Sequence, residues 1–218
     1  CWVGALAELG ARVSGERLPF SVGGPIRGGR VSLDSSASSQ FVSALLLAGC
    51  RYPGGLEIEH RGGSLPSLPH IAMTVDMLAE RGVDVAATGP TSWAVAEGAP
   101  RARIDHIEPD LTNAATLAAA AVITGGRVRT LWPVKTVQAG AALLEVLAAF
   151  GADCRRDGAH VTVTGGGGPI GADVDLHQVS EITCVAAALA ALATGGSRIR
   201  GVAHIRGHET DRLAALAT

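Results

Sequence analysis

The chain has 218 residues, of which 47% are hydrophobic and 17% charged, and its formal net charge is -2. That balance supplies a core and excludes disorder. It also excludes the strong cationic excess of a nucleic-acid or polybasic membrane surface. Aromatic residues make up 3%, too few for the stacking platforms of a single-strand binder. Four cysteines, Cys1, Cys50, Cys154 and Cys184, form no CxxC pair. Neither a zinc ribbon nor a disulfide framework is therefore expected. The apolar runs around Cys50, Cys154 and Cys184 predict buried thiols. No basic segment precedes an apolar stretch, and the runs at 117–124 and 185–194 are too short for a bilayer, so a cytoplasmic location is the expectation. The sequence begins at Cys1 without Met and stops at Thr218 inside a helical pattern, which predicts a piece of a longer protein.

In chain order, one element recurs three times. Segments 6–13, 77–85 and 146–154 each run from an amphipathic helix through a glycine (Gly10, Gly82, Gly151) into a short strand. The glycines stand 72 and 69 positions apart, and each suits the left-handed residue that ends a helix. A second element recurs out of phase: an Ala/Leu-rich helix, a glycine and a strand, at 41–59, 114–130 and 185–200. Its strands alternate apolar and polar residues, as a sheet with one wet face requires. Its helices are apolar almost all round, which predicts that sheets cover them. The period of about 70 residues reads as repeated α/β units packed around buried helices. The Pro-rich stretch 99–109 is the expected hinge between two lobes.

Four polar segments can carry chemistry. The turn Asp34-Ser35-Ser36-Ala37-Ser38-Ser39-Gln40 follows a strand and opens a helix. It can hold a phosphate or carboxylate on hydroxyls and free amides, or Ser38 or Ser39 can simply cap the helix. The segment 108–113 opens the next apolar helix, with Asp110 or Thr112 as its cap. In 175–183, Ser180 and Thr183 can cap, while Glu181 either suits the helix dipole or serves as a tuned base. The segment 204–212 gathers His204, Arg206, His208, Glu209, Asp211 and Arg212. Arginine grips phosphate or carboxylate, and Glu or His moves protons. The alternatives are a solvated helix start capped by Thr210 or Asp211, or a metal held by His204 and His208.

Taken together, Asp34…Ser38-Ser39-Gln40-Phe41, Ser67-Leu68-Pro69-His70, Glu108-Pro109-Asp110…Asn113 and His208-Glu209-Thr210-Asp211-Arg212 stand in a familiar order. The chain resembles the 3-phosphoshikimate 1-carboxyvinyltransferase (5-enolpyruvylshikimate-3-phosphate synthase) family. Ser-Ser-Gln with Glu-Thr-Asp-Arg favours it over the sister family acting on UDP-N-acetylglucosamine. The resemblance implies an α/β enolpyruvyl-transferase fold of repeated βαβαββ units, with helices buried among sheets in two lobes. Here 1–107 would be the latter part of one lobe and 108–218 the first part of the other. It implies transfer of the enolpyruvyl group of phosphoenolpyruvate to the 5-hydroxyl of shikimate 3-phosphate, by addition and elimination without metal or organic cofactor. The small-molecule substrates would be the partners, with no nucleic acid or membrane, and the full-length parent would be monomeric.

By the same resemblance, Ser38, Ser39, Gln40, Ser67, Glu181, His204 and His208 would bind shikimate 3-phosphate, and Gln40 and Arg212 phosphoenolpyruvate. Glu181 and Glu209 would be catalytic, the first taking the 5-hydroxyl proton and the second handling the proton at the phosphoenolpyruvate methylene. Glu181 stands where many members have Asp, His204 and His208 where Asn and Lys are usual, and His70 where a Tyr is usual. The family's N-terminal and C-terminal motifs would lie before Cys1 and after Thr218. The 218 residues alone are therefore expected to show no turnover. The alternatives are a catalytically incomplete scaffold or an enolpyruvyl transferase with another acceptor, such as UDP-N-acetylglucosamine.

Overall fold

Gly10, Gly82 and Gly151 close three helices by the same pair of backbone hydrogen bonds. The glycine N–H reaches three residues back (to Ala7, Ala79 and Ala148), and the next N–H reaches five back, to Leu6, Leu78 and Leu147. All three glycines have φ between +75° and +95°, which a residue with a Cβ adopts only at a steric cost. The computed structural model describes residues 2–15, 19–207 and 210–218. It comprises two units, Cys1–Ile104 and Asp105–Thr218.

The first unit opens with α1 (Trp2–Glu8) and an antiparallel pair, β1 (Arg12–Ser14) and β2 (Ser21–Gly23). Then follow β3 (Gly29–Leu33), α2 (Gln40–Gly49), β4 (Leu56–His60), α3 (Leu68–Glu80), β5 (Val85–Gly89) and β6 (Ser92–Val95). The four strands pair in the order β3-β4-β6-β5, with β3 parallel to β4 and the remaining pairs antiparallel. Alternation sends Val31, Leu33, Leu56, Ile58, Trp93 and Val95 to the inner face, where they pack with Val42, Leu45 and Leu46 of α2 and Ile71 and Leu78 of α3. This is one complete βαβαββ unit.

The second unit holds α4 (Leu111–Thr124), β7 (Arg127–Leu131), α5 (Gly140–Ala149), β8 (Asp153–Asp157) and β9 (His160–Thr164). Its sheet, in the order β7-β9-β8, is antiparallel and repeats the β4-α3-β5-β6 portion of the first unit. Next come β10 (Asp173–Asp175), a 3-10 turn at Ser180–Ile182, α6 (Thr183–Ala191) and β11 (Arg198–Arg200), and β10 pairs with β11 in parallel. That arrangement repeats β3-α2-β4. A 3-10 turn at Ala203–Gly207 and α7 (Arg212–Leu216) complete the unit. Its core joins Leu111, Ala115, Ala118, Val122, Trp132, Leu147, Phe150, Val161, Leu176, Ile182 and Leu189.

One expectation, on the thiols, is corrected. The apolar helices each bury one face in the core of their own unit, α2 through Val42, Leu45 and Leu46 and α4 through Leu111, Ala115, Ala118 and Val122. Leu47 of α2, Leu117 of α4 and Leu192 after α6 are 55%, 61% and 58% exposed. Of the three cysteines expected to be buried, only Cys50 is: Cys154 is half-buried and Cys184 exposed. Residue 184 is the second residue of α6 and falls on its outer side.

Candidate active site

Because β3 and β4 run parallel, with Leu33 opposite His60, the chain leaves both strands at the same edge of the sheet. Ligands of parallel α/β sheets gather at such carboxyl ends. The β3 exit is the serine turn. Asp34 Oδ1 accepts the Ser36 N–H at 2.8 Å. The Ser38 N–H donates to Ser35 O at 3.0 Å, and Ser38 Oγ accepts the Gln40 N–H at 3.3 Å. Ser39 is the residue that heads α2. Its side chain is buried, yet it makes no capping hydrogen bond. The hydroxyl is thus not spent on the helix start, which leaves the positive end of α2 suited to an anion.

The β4 exit leads to Ser67, buried at the head of α3 in the left-handed conformation, φ +50°. It too makes no capping hydrogen bond. His70, half-buried, lies in the first turn of α3. Thr74 Oγ1 lies 2.9 Å from Ser43 Oγ, a hydrogen bond joining α2 to α3. Four of the expected acceptor-binding residues, Ser38, Ser39, Gln40 and Ser67, therefore stand on the two loops of one parallel strand pair.

The second unit repeats this placement with other residues. From β10 the chain passes into the 3-10 turn that holds Ser180, buried, and Glu181, half-buried, just before α6. Thr183 does not cap: its Oγ1 donates to Ser180 O at 2.6 Å. From β11 the chain enters the turn holding His204, whose ring centroid is 5.8 Å from that of His177, edge to face. Arg206, expected among the cations of the site, pairs with Asp211 at 3.2 Å. Asp211 caps α7 by accepting the Ala214 N–H at 3.0 Å. That N–H, with help from the Arg206 guanidinium, holds the Asp211 carboxyl below the usual carboxylate range. Arg212, half-buried, begins α7. His208 and Glu209 lie outside the described residues.

The polar start of α4 is of another kind. Asp110 Oδ1 accepts the Thr112 N–H at 2.9 Å and the Asn113 N–H at 3.1 Å. Gln138 Oε1 accepts the Leu111 N–H at 2.8 Å. The first three amides of α4 are therefore all engaged, and of the two candidate caps Asp110 serves.

The family described as EPSP synthase (3-phosphoshikimate 1-carboxyvinyltransferase) matches residues 2–218. The chain belongs to the EPSP synthase family. It is 51% identical, over 219 aligned residues and 98% of its length, to the 3-phosphoshikimate 1-carboxyvinyltransferase of Mycobacterium ulcerans (strain Agy99), covering 51% of that relative. Among solved structures it is similar to an EPSP synthase from Acinetobacter baumannii, with a TM-score of 0.72 and 23% identity over 99% of this chain and 51% of that one. It is also similar to the enolpyruvyl transferase NikO from Streptomyces tendae, with a TM-score of 0.70 and 18% identity over 91% of this chain and 50% of that one. At such identities the structures speak for the fold, and it is the expected enolpyruvyl-transferase fold. The chain spans about half the length of the curated relative it matches.

Within this EPSP synthase-family chain, three residues with no role assigned from the sequence engage the polar segments, each within its own unit. Gln138 ties off the α4 start, and His177 packs its ring against His204. His60 is buried at the end of β4, with Nδ1 accepting the Ser35 N–H at 3.1 Å and Nε2 at 2.9 Å from Gly63 O. A signal for His60 was present. The alternation that turns Leu56 and Ile58 inward turns residue 60 inward as well, and a buried polar ring must find partners.

Proposed function

We propose that this chain serves the transfer of the enolpyruvyl group of phosphoenolpyruvate to the 5-hydroxyl of shikimate 3-phosphate, releasing phosphate. The observation that carries the reading is the serine turn. Ser38, Ser39 and Gln40 head a ten-residue helix whose N-cap side chain makes no capping bond, inside a chain matched to the family along nearly all its length.

Each residue's task follows from its chemistry. Ser38 and Ser39 offer hydroxyls, and the α2 N-terminus offers partial positive charge, to the 3-phosphate. Ser67 adds a further contact from the α3 start, and His204 and His208 take part in holding the acceptor. Glu181 removes the 5-hydroxyl proton as the oxygen adds to C2 of phosphoenolpyruvate. Glu209 delivers a proton to the methylene carbon and later takes one back as phosphate leaves. Arg212 and Gln40 hold phosphoenolpyruvate, the guanidinium matching carboxylate or phosphate in a two-bond grip. Two carboxyl groups thus divide the proton work while donors neutralise the developing charge. The reading carries with it a monomeric cytoplasmic enzyme needing no cofactor. No helix among the described residues is long and apolar enough to cross a membrane.

The test is phosphate release from phosphoenolpyruvate with shikimate 3-phosphate by the complete gene product, beside calorimetric titration of the acceptor. Phosphate release that depends on shikimate 3-phosphate and falls at least about a hundredfold in Glu181→Gln supports the reading. A protein that uses UDP-N-acetylglucosamine instead, or that binds no shikimate 3-phosphate, overturns it.

A further inference from the structure

His60 lies outside the set of residues expected to touch substrate, yet the site's backbone converges on it. Its ring is 5% exposed. Nδ1 faces the Ser35 N–H at 3.1 Å, and since that N–H can only donate, Nδ1 must accept. Nε2 faces Gly63 O at 2.9 Å, and since a carbonyl only accepts, Nε2 must carry the proton. The two contacts select one neutral tautomer.

These partners belong to two different loops. Ser35 is in the turn after β3, fully buried, and its carbonyl accepts the Ser38 N–H at 3.0 Å. Ser38 Oγ in turn accepts the Gln40 N–H, where α2 begins. Gly63 is in the loop after β4, four residues before Ser67. Beside this bridge, Gly62 packs so closely on Asp34 that a Cβ at residue 62 would strike the carboxylate. One imidazole thus joins the serine turn to the Ser67 loop, and a short chain of bonds runs from it to the head of α2.

We infer that His60 is a positioning residue: by accepting the Ser35 N–H on Nδ1 it holds the Ser35–Gln40 turn in the shape that receives the acceptor's phosphate. The inference rests on the function proposed above for that turn. The bond to Ser35 does the positioning, while the bond to Gly63 fixes which nitrogen is free to accept. An asparagine at residue 60 places an acceptor near the Nδ1 position, and a glutamine reaches toward the Nε2 position instead. Phenylalanine fills the space and accepts nothing.

The experiment compares His60→Asn, His60→Gln and His60→Phe in the complete gene product. Shikimate 3-phosphate affinity is measured by calorimetry, kcat and KM by phosphate release, and folding by thermal midpoint. Asparagine is expected to keep the dissociation constant within about threefold of the parent. Glutamine and phenylalanine are expected to raise it about tenfold or more, the loss of one hydrogen bond in a preorganised site. That rise should appear in KM for the acceptor, with kcat at saturation largely kept. A folded glutamine or phenylalanine variant with parental affinity, or a folded asparagine variant as weak as phenylalanine, overturns the inference.

A second measurement needs neither variant nor substrate. Nitrogen-15 spectra of the parent should show an unprotonated Nδ1 and a protonated Nε2 at His60, with slow amide exchange at Ser35. The opposite tautomer, or a Ser35 amide exchanging at the solvent rate, overturns the inference. A parent that shows this tautomer and slow exchange but binds no shikimate 3-phosphate would fault the proposed function and leave His60's hold on the turn supported.

Discussion

Gln138 Oε1 accepts the backbone N–H of Leu111 at 2.8 Å across 27 positions of sequence. The amide nitrogen of the same side chain donates to Glu108 Oε1 at 2.7 Å and to Pro109 O at 2.8 Å. One side chain therefore secures both the approach to α4 and its first amide. Gln138→Ala removes all three bonds and leaves the Leu111 N–H of a fully buried residue without its acceptor. We expect a loss of about 1–3 kcal/mol, read as a lower denaturant midpoint by circular dichroism.

Two helix starts should separate binding from stability. Asp110 caps α4 through two amides, so Asp110→Ala should cost about 0.5–2 kcal/mol. Ser39 caps nothing, so Ser39→Ala should change stability by only about 0.5 kcal/mol or less. The same Ser39→Ala change should weaken shikimate 3-phosphate binding about tenfold or more. Paired melting curves and titrations check this; equal destabilisation by the two substitutions would count against it.

Gly49 ends α2 where the helix presses on β4. A Cβ there would lie 2.8 Å from Leu56 Cβ and 3.0 Å from Val95 Cγ1. Both neighbours are in the core of the first unit, and neither is the loose end of a long chain. Gly49→Ala should therefore cost about 1–3 kcal/mol by overpacking, measured by urea unfolding.

The Asp211 carboxyl, held down first by the Ala214 N–H and then by Arg206, sets a direction with pH. A carboxyl depressed in the folded state stabilises above its unfolded value of about 3.9 and loses that contribution as pH falls through its folded value. The α7 start should therefore loosen only under acid conditions, seen as a smaller Ala214 amide protection factor, referenced to the unfolded chain at each pH, below that range. In Asp211→Ala that protection factor should no longer change with pH there.

The 218-residue chain should bind shikimate 3-phosphate yet show no turnover, since it spans about half of the curated relative it matches. Calorimetry and phosphate release on the purified chain test this together. Robust turnover by the chain itself would reject it.

Much of the fold is legible in the amino-acid sequence. The 3.6-residue periodicity and three glycines marked where α1, α3 and α5 stop, and the structure closes each with the same two bonds. Alternation marked the inner faces of β4, β7 and β11. Burial was harder to read, as the half-buried and exposed thiols of Cys154 and Cys184 show. An apolar stretch says that a helix has a face to hide, but its packing decides on which side each residue falls.

The candidate site divides in the same way. Local sequence determined which residue types gather at each helix start, and their order carried the family resemblance along the chain. Only tertiary structure decided that Gln138 closes the first amide of α4, and that the parallel strands bring the Ser67 loop to the same edge as the serine turn. Only it gave His60 a task. The deciding hydrogen bonds join residues 25 and 27 positions apart. Propensity and periodicity act within a few neighbours along the chain, and such distant partners meet only once the sheet has set its register.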